Sequence, residues 1–310
     1  MYQWMQILLI SLMMNVAGVV WAVERNGFDL SDSLVPIAEI HGGGPAKDGI
    51  PALDDPTFIA PDEADFLNPD DRVLGLFRHG VAKAYPIAIL NWHEVVNDRF
   101  GVERVVVTFC PLCGTGMAFL ATVDGRALTF GVSGLLYNSD VLLYDRQTES
   151  LWSQIMTTAI TGPLKSQRLT MTPVAHTTWA DWRQRHPDTR VLSPDTGHQR
   201  DYDRDPYAGY VQSEQVMFPL RFKSQRFYPK ESVIGVVIDG RAKAYPFSEL
   251  ERATIPLMDT LGGRPVRIEY DVEHRTGRVL DATGHEIPSV IGFWFAWYGF
   301  HPDTEVYTAA

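Results

Sequence analysis

Cysteine is nearly absent from this chain: of 310 residues only Cys110 and Cys113 carry a thiol, and both fall within TFCPLCGTG. A small fold stapled by many disulfides is thereby excluded. No second Cys-x-x-Cys and no His-x₃-His accompanies the pair, so the familiar four-ligand zinc frames are missing as well. No G-x-S-x-G occurs, which removes the common serine-hydrolase nucleophile; Gly131-Val132-Ser133-Gly134 reads instead as a turn. Basic residues are outnumbered, 27 Lys and Arg against 38 Asp and Glu, and the net charge of -11 disfavours nucleic acid and anionic lipid as partners. After residue 22 no apolar run approaches the ~20 residues that span a bilayer.

What is present begins with MYQWMQILLISLMMNVAGVVWA, an uncharged apolar stretch whose small residues before Glu24 suit a signal-peptidase site. Residues 1–22 are expected to be a cleaved export signal, giving a periplasmic or secreted protein with no stable membrane insertion. Because no Lys or Arg precedes the run, an uncleaved anchor is the competing expectation. The mature part, with a 45% hydrophobic composition, has the make-up of a globular chain with a large core.

The chain repeats itself. GLFRHGVAKAYPIAIL at 75–90 and GVVIDGRAKAYPFSEL at 235–250 share eight of sixteen residues, and each reads as strand, tight turn (His79-Gly80 or Asp239-Gly240), return strand and a stop at Pro86 or Pro246. WADWRQRHPDT at 179–189 and WFAWYGFHPDT at 294–304 share six of eleven in the same order. Trp179, Trp182 and His186 fall on one helical face, so His186 and His301 are expected as helix-end histidines beside carbonyl groups, not metal ligands. The expected fold is α+β and β-rich, two tandem pseudo-repeats packed as one body. The divisions are an irregular extension over 23–70, a first unit with an insertion over 71–230 and a second unit over 231–310. About 45 extra residues in the first unit follow the cysteines and include strands VLLYD and LWSQI around RQTES.

Two copies of one scaffold provide an internal control. Shared features are architecture, and features of one copy are candidates for chemistry. Aligning VVVTF (105–109) with VRIEY (266–270) sets Cys110 opposite Asp271 and Cys113 opposite His274, so the thiols belong to the first copy alone. NWHEVVND at 91–98 has no such His or acids opposite it, which adds His93, then Glu94 and Asp98. Asp140, Tyr144, Asp145, Glu149 and Trp152 lie in the insertion, and Asp140 joins the candidates. DYDRDPYAGY has the alternating acids of a calcium loop but Pro206 and Gln212 where Gly and Glu are required, so it reads as an aromatic surface loop. GGGP at 42–45 lacks the ending of a phosphate loop.

KDGIPALDDP, AKAYPIAILNWHEVVND, TFCPLCGTGMAF, SGLLYNSDVLLYDRQTESLWSQ, DYDRDPYAGY and FWFAWYGFHPDTEVY, in this order, resemble the bacterial domain-of-unknown-function family 3179 (DUF3179). The resemblance covers nearly the whole mature chain and implies no particular chemistry.

The pair Cys110/Cys113 therefore carries the functional reading. As catalytic thiols they would exchange disulfides, although no βαβ alternation surrounds them. As metal ligands they would chelate one soft ion, copper or zinc, with His93 as the third ligand and Met117 available to Cu(I). A nucleophilic cysteine with His93 as base is a weaker variant. The alternative from another class is a non-catalytic binding or assembly module whose cysteines form a short disulfide or pack as small hydrophobes. Whether the protein is an enzyme stays open at this level.

Overall fold

The computed structural model describes residues 23–309. The expected export signal over 1–22 lies outside the described residues. Strands dominate and helices are few and short: α1 Ile87–His93, α2 Trp179–Arg185, α3 Phe247–Leu250 and α4 Trp294–Phe300. The fold is accordingly β-rich α+β. Among the described residues no helix is long and apolar enough to cross a membrane.

The two Ala-Lys-Ala-Tyr-Pro segments occupy hairpins of identical register. Arg72–Arg78 pairs antiparallel with Val81–Pro86, matching Val73 to Pro86 and Gly75 to Ala84. Ser232–Ile238 pairs with Arg241–Pro246, matching Val233 to Pro246 and Gly235 to Ala244. Both turns have positive φ at both central residues, 50° and 78° at His79-Gly80 and again at Asp239-Gly240, the mirror-image turn that suits the twist of two strands. Each proline closes its strand and stands at the N-cap of a short helix, α1 or α3.

Each hairpin then receives a strand on either side. Ala175–Thr178 pairs antiparallel with Arg72–Arg78, leads into α2, and Arg190–Leu192 returns parallel to Val81–Pro86. Val290–Phe293 pairs antiparallel with Ser232–Ile238, leads into α4, and Glu305–Val306 returns parallel to Arg241–Pro246. The helices sit on the hairpins through tryptophan. A Cβ at Gly75 would fall 2.2 Å from the Trp182 ring, and one at Gly235 equally close to Trp297, so only glycine lets the indoles seat. Trp182 Nε1 donates to Thr189 Oγ1 and Trp297 Nε1 to Thr304 Oγ1, both at 2.9 Å, which accounts for the His-Pro-Asp-Thr run in each segment.

His186 and His301 cap α2 and α4, donating their backbone N–H to Trp182 and Trp297 at 2.9 Å. The position agrees with expectation and the charge does not. Their rings pack on those tryptophans at 4.2 and 4.1 Å, and burial lowers both pKa values, that of His301 to about 4. Neutral rings gain no stabilisation from the helix dipole.

The insertion forms its own antiparallel sheet from Phe130–Tyr137, Asp140–Asp145 and Leu151–Ser153, with Ile40–Gly42 at its edge. Gly131-Val132-Ser133-Gly134 is no turn. It lies within the first of these strands, where the register shifts between Val132 and Leu135 and Gly134 takes φ 71°, a bulge. Residues 23–70 contribute short strands at sheet edges, Ile40–Gly42, Leu53–Asp54 and Phe58–Ile59, linked by irregular backbone.

Candidate functional site

Cys110 ends the strand Glu103–Cys110, which follows Val95–Phe100 in antiparallel order and hairpins into Thr115–Leu120. Cys110 pairs with Thr115 across the turn, Cys113 N donates to Cys110 O at 3.2 Å, and Gly114 supplies the positive φ of 62° that brings the chain round. Phe293 N, at the N-cap of α4, donates to Cys113 O at 2.8 Å and ties the turn to the second half of the chain. The insertion grips the same hairpin: Thr115 Oγ1 donates to Gln154 Oε1, and Gln154 Nε2 donates to Thr108 Oγ1, both at 2.8 Å.

The two-residue turn Asn138-Ser139, again with both φ values positive, delivers Asp140 to the first position of its strand. Cys113 Sγ donates to Ser139 O at 3.3 Å. The sulfurs of Cys110 and Cys113 and a carboxylate oxygen of Asp140 all lie within 4.8 Å of one another, and all three residues are buried. Both cysteines are free thiols. Asp140 Oδ2 accepts from Ile155 N at 3.1 Å, whereas Oδ1 is buried without a hydrogen-bond partner of normal geometry. Ser139 Oγ, Tyr210 Oη and Trp294 Nε1 are also unpartnered. Buried polar atoms of native proteins are nearly always paired, so the unpartnered Ser139 Oγ and Asp140 Oδ1, on adjacent residues beside the two thiols, make this turn the candidate site.

Glu94 is a buried neighbour of these three residues. It takes a left-handed conformation (φ 58°) at the end of α1, and its carboxyl is buried in reach of the charge on Asp140. Burial, then the Asp140 charge, raises its pKa to about 8. Burial raises Asp140 to about 7 against backbone donors at Ile155 and Val141 and the two thiols, which lower it. Both thiols are pushed up, by burial first, with Asp140 adding to it. The dominant influences on these four groups are burial and one another, not a lysine or arginine. Glu94 and the two thiols therefore hold their protons near neutrality while Asp140 is about half ionised there, and a cation placed among them would oppose every upward shift.

The remaining expected site residues separate. His93 is not brought into the group: its Nδ1 lies 2.7 Å from Pro51 O and its Nε2 2.7 Å from the Tyr202 hydroxyl, while burial lowers its pKa to about 4. With both nitrogens engaged, it has no lone pair to give, and Asp140 stands where His93 was expected as the third group. Asp98 binds Lys83 Nζ at 2.8 Å and Tyr85 Oη at 2.6 Å, and Asp259 binds Lys243 and Tyr245 in the same way. Asp98 is therefore a partner of Lys83 and Tyr85, as Asp259 is of Lys243 and Tyr245, and not a member of the cysteine group. The sequence concealed its counterpart because the path from Pro246 to Asp259 is one residue longer than that from Pro86 to Asp98. Met117 is buried in the same core cluster as the cysteines. In DYDRDPYAGY, Tyr202 reaches inward to His93 and Tyr210 is buried, so the loop covers the site instead of merely facing solvent.

The hairpin opposite also gathers ligand-type groups: Asp181, Asp271 and His274 lie within 4.8 Å of one another. Asp181 is held by Arg185 and Thr177 and His274 Nδ1 by Thr178, so these groups already have partners.

Fold and site together define a β-rich α+β protein with a buried thiol–carboxyl centre. The chain belongs to the family described as Protein of unknown function (DUF3179), which matches residues 47–304. No curated protein and no solved structure matches the chain.

Proposed function

We propose that the protein holds one soft divalent metal ion, zinc in preference to copper, on Cys110, Cys113 and Asp140. The observation that carries this reading is the buried Asp140 carboxylate, with its unpartnered Oδ1, within 4.8 Å of two free thiols. Two thiolates with one carboxylate oxygen are a set suited to zinc; Cu(I) prefers sulfur alone. Three protein ligands leave a fourth position, and the buried Glu94 carboxyl, which feels the charge on Asp140, is a protonable group available to the same centre. Binding would displace the thiol protons, so affinity should rise with pH.

Thiol–disulfide exchange is the second reading, favoured by the closeness of the sulfurs and opposed by their burial. A buried thiol with a raised pKa is a poor nucleophile.

Elemental analysis of protein purified without chelator, with thiols counted before and after reduction, decides between them. One zinc per chain, lost in Cys113→Ser and Asp140→Asn proteins that stay folded, supports the metal reading. A reducible bond and no metal supports exchange or a structural disulfide.

The reading includes export, argued from the apolar residues 1–22, and is checked by sequencing the N-terminus of protein recovered from the cell envelope. It also includes duplication: residues 71–192 and 232–307 as two copies of one unit. Support comes from the matched hairpin registers and the paired tryptophan–glycine contacts.

A further inference from the structure

Beside the cysteine turn lies a cleft of about 300 Å³, lined by Pro111 and Gly114 of the turn itself, by Phe109 and Phe293, and by Tyr207 and Tyr210. The two tyrosines face both ways. They line the cleft, and they stand close enough to the buried group that Glu94 and Cys110 raise the pKa of Tyr207 and the two thiols raise that of Tyr210, after burial in each case.

The rest of the lining carries positive charge in a protein whose net charge is -11. Arg72 and Arg275 both line the cleft, and neither has an ion-pair partner among the described residues. Arg72 is held only by backbone carbonyls, those of His274, His176 and Arg275 at 2.6, 2.7 and 3.1 Å. Burial, then the neighbouring Arg275, lowers its pKa to about 10. The single acid in the lining, Asp205, accepts from Tyr207 N at 2.8 Å and Asn91 Nδ2 at 3.3 Å through Oδ1 and pairs with neither arginine, so two guanidinium groups face one carboxylate. Two guanidinium groups without a paired carboxylate, next to aromatic walls, form a recognition surface for an anion with a flat apolar body. The volume sits at the lower end of the range for small-molecule pockets, which suits a single ring.

We propose that this cleft is the ligand pocket of the buried centre and takes a small aromatic carboxylate, its anion on Arg275 and Arg72 and its ring against Phe109, Tyr207 and Phe293. The inference rests on the metal reading for what happens to the ligand, and names the substrate class of that same site.

Benzoate is the probe, with benzylamine as the control of opposite charge, each titrated into the full mature chain, zinc-loaded and chelator-treated, and followed by ligand-observed NMR. Benzoate should saturate and benzylamine should not. Arg275→Gln alters an exposed side chain and should weaken benzoate by about tenfold, with the thermal midpoint unchanged. Zinc bound at one per chain without benzoate binding overturns the inference and leaves the metal reading intact. Benzoate that binds Arg275→Gln as tightly as wild type, or benzylamine that binds as well as benzoate, also overturns it. Benzoate binding with no zinc in any preparation upholds the cleft and refutes the metal reading instead.

Discussion

The hairpin bearing the cysteines and the one that ends at Asp271 turn alike and differ in what covers them. Cys110 pairs with Thr115 and Asp271 with Thr276, each across a four-residue turn whose last residue, Gly114 or Arg275, has positive φ. The first turn is wholly buried, and the second is largely exposed. The difference lies in what covers them. Between Leu120 and Ala175 the first half carries the insertion sheet, which supplies Asp140 and Gln154, whereas only a short connection separates Asp281 from Val290 in the second. The extra chain roofing the first turn removes water from it, and burial there raises the pKa of Glu94 and Asp140.

The largest effects should be shared by both halves. Trp182→Ala and Trp297→Ala should each cost about 3–5 kcal/mol in denaturant unfolding, since each empties the space above a glycine. A large loss at one and none at the other would break the equivalence. Next in size, Asp98→Asn and Asp259→Asn should each destabilise by about 3 kcal/mol by leaving Lys83 or Lys243, both mostly buried, without its charge partner.

The acids under the roof sharpen the comparison through pH. A carboxyl whose pKa is raised in the fold binds its proton more tightly folded than unfolded. Its contribution is full below the unfolded value, 4.5 for Glu94 and 3.8 for Asp140, and is lost as pH rises through about 8 and about 7. Metal-free protein should therefore lose stability from about pH 3.8 to 7 through Asp140 and from about pH 4.5 to 8 through Glu94, by up to ~1.4 kcal/mol per pH unit for each acid. Glu94→Gln should flatten the slope, and zinc should reverse it, as urea unfolding across that range would read. The smallest effect is expected at the open hairpin: His274→Ala should change stability by less than about 1 kcal/mol, because its side chain is only partly buried and makes one hydrogen bond, to Thr178.

The two hairpins and the two tryptophan helices were readable from sequence because their constraints are local. A Tyr-Pro stop, a tight turn and a Trp-x-x-Trp face each leave their mark within a dozen residues. The site was half readable. Cys110 and Cys113 stood out against their counterparts, and Glu94 and Asp140 were among the candidates, but nothing in a linear chain reveals that an Asn138-Ser139 turn drops Asp140 onto the sulfurs. His93 drew attention for its residue type, and only three dimensions show both of its nitrogens spent on Pro51 and Tyr202. Asp98 was set apart from its twin by a single extra residue. Tyr207 and Tyr210 sat in a stretch that looked like solvent-facing loop, their only signal being aromatics spaced among acids.

The most direct test of the central claim is a zinc titration of reduced, metal-free protein with the released protons counted, set beside Asp140→Asn and His274→Ala. One zinc per chain with about two to three protons released at pH 7, abolished or greatly weakened in Asp140→Asn and unchanged in His274→Ala, is the result expected if the roofed turn is the metal centre. Zinc that fails to bind the reduced wild type, or that binds Asp140→Asn as tightly as wild type, would contradict it.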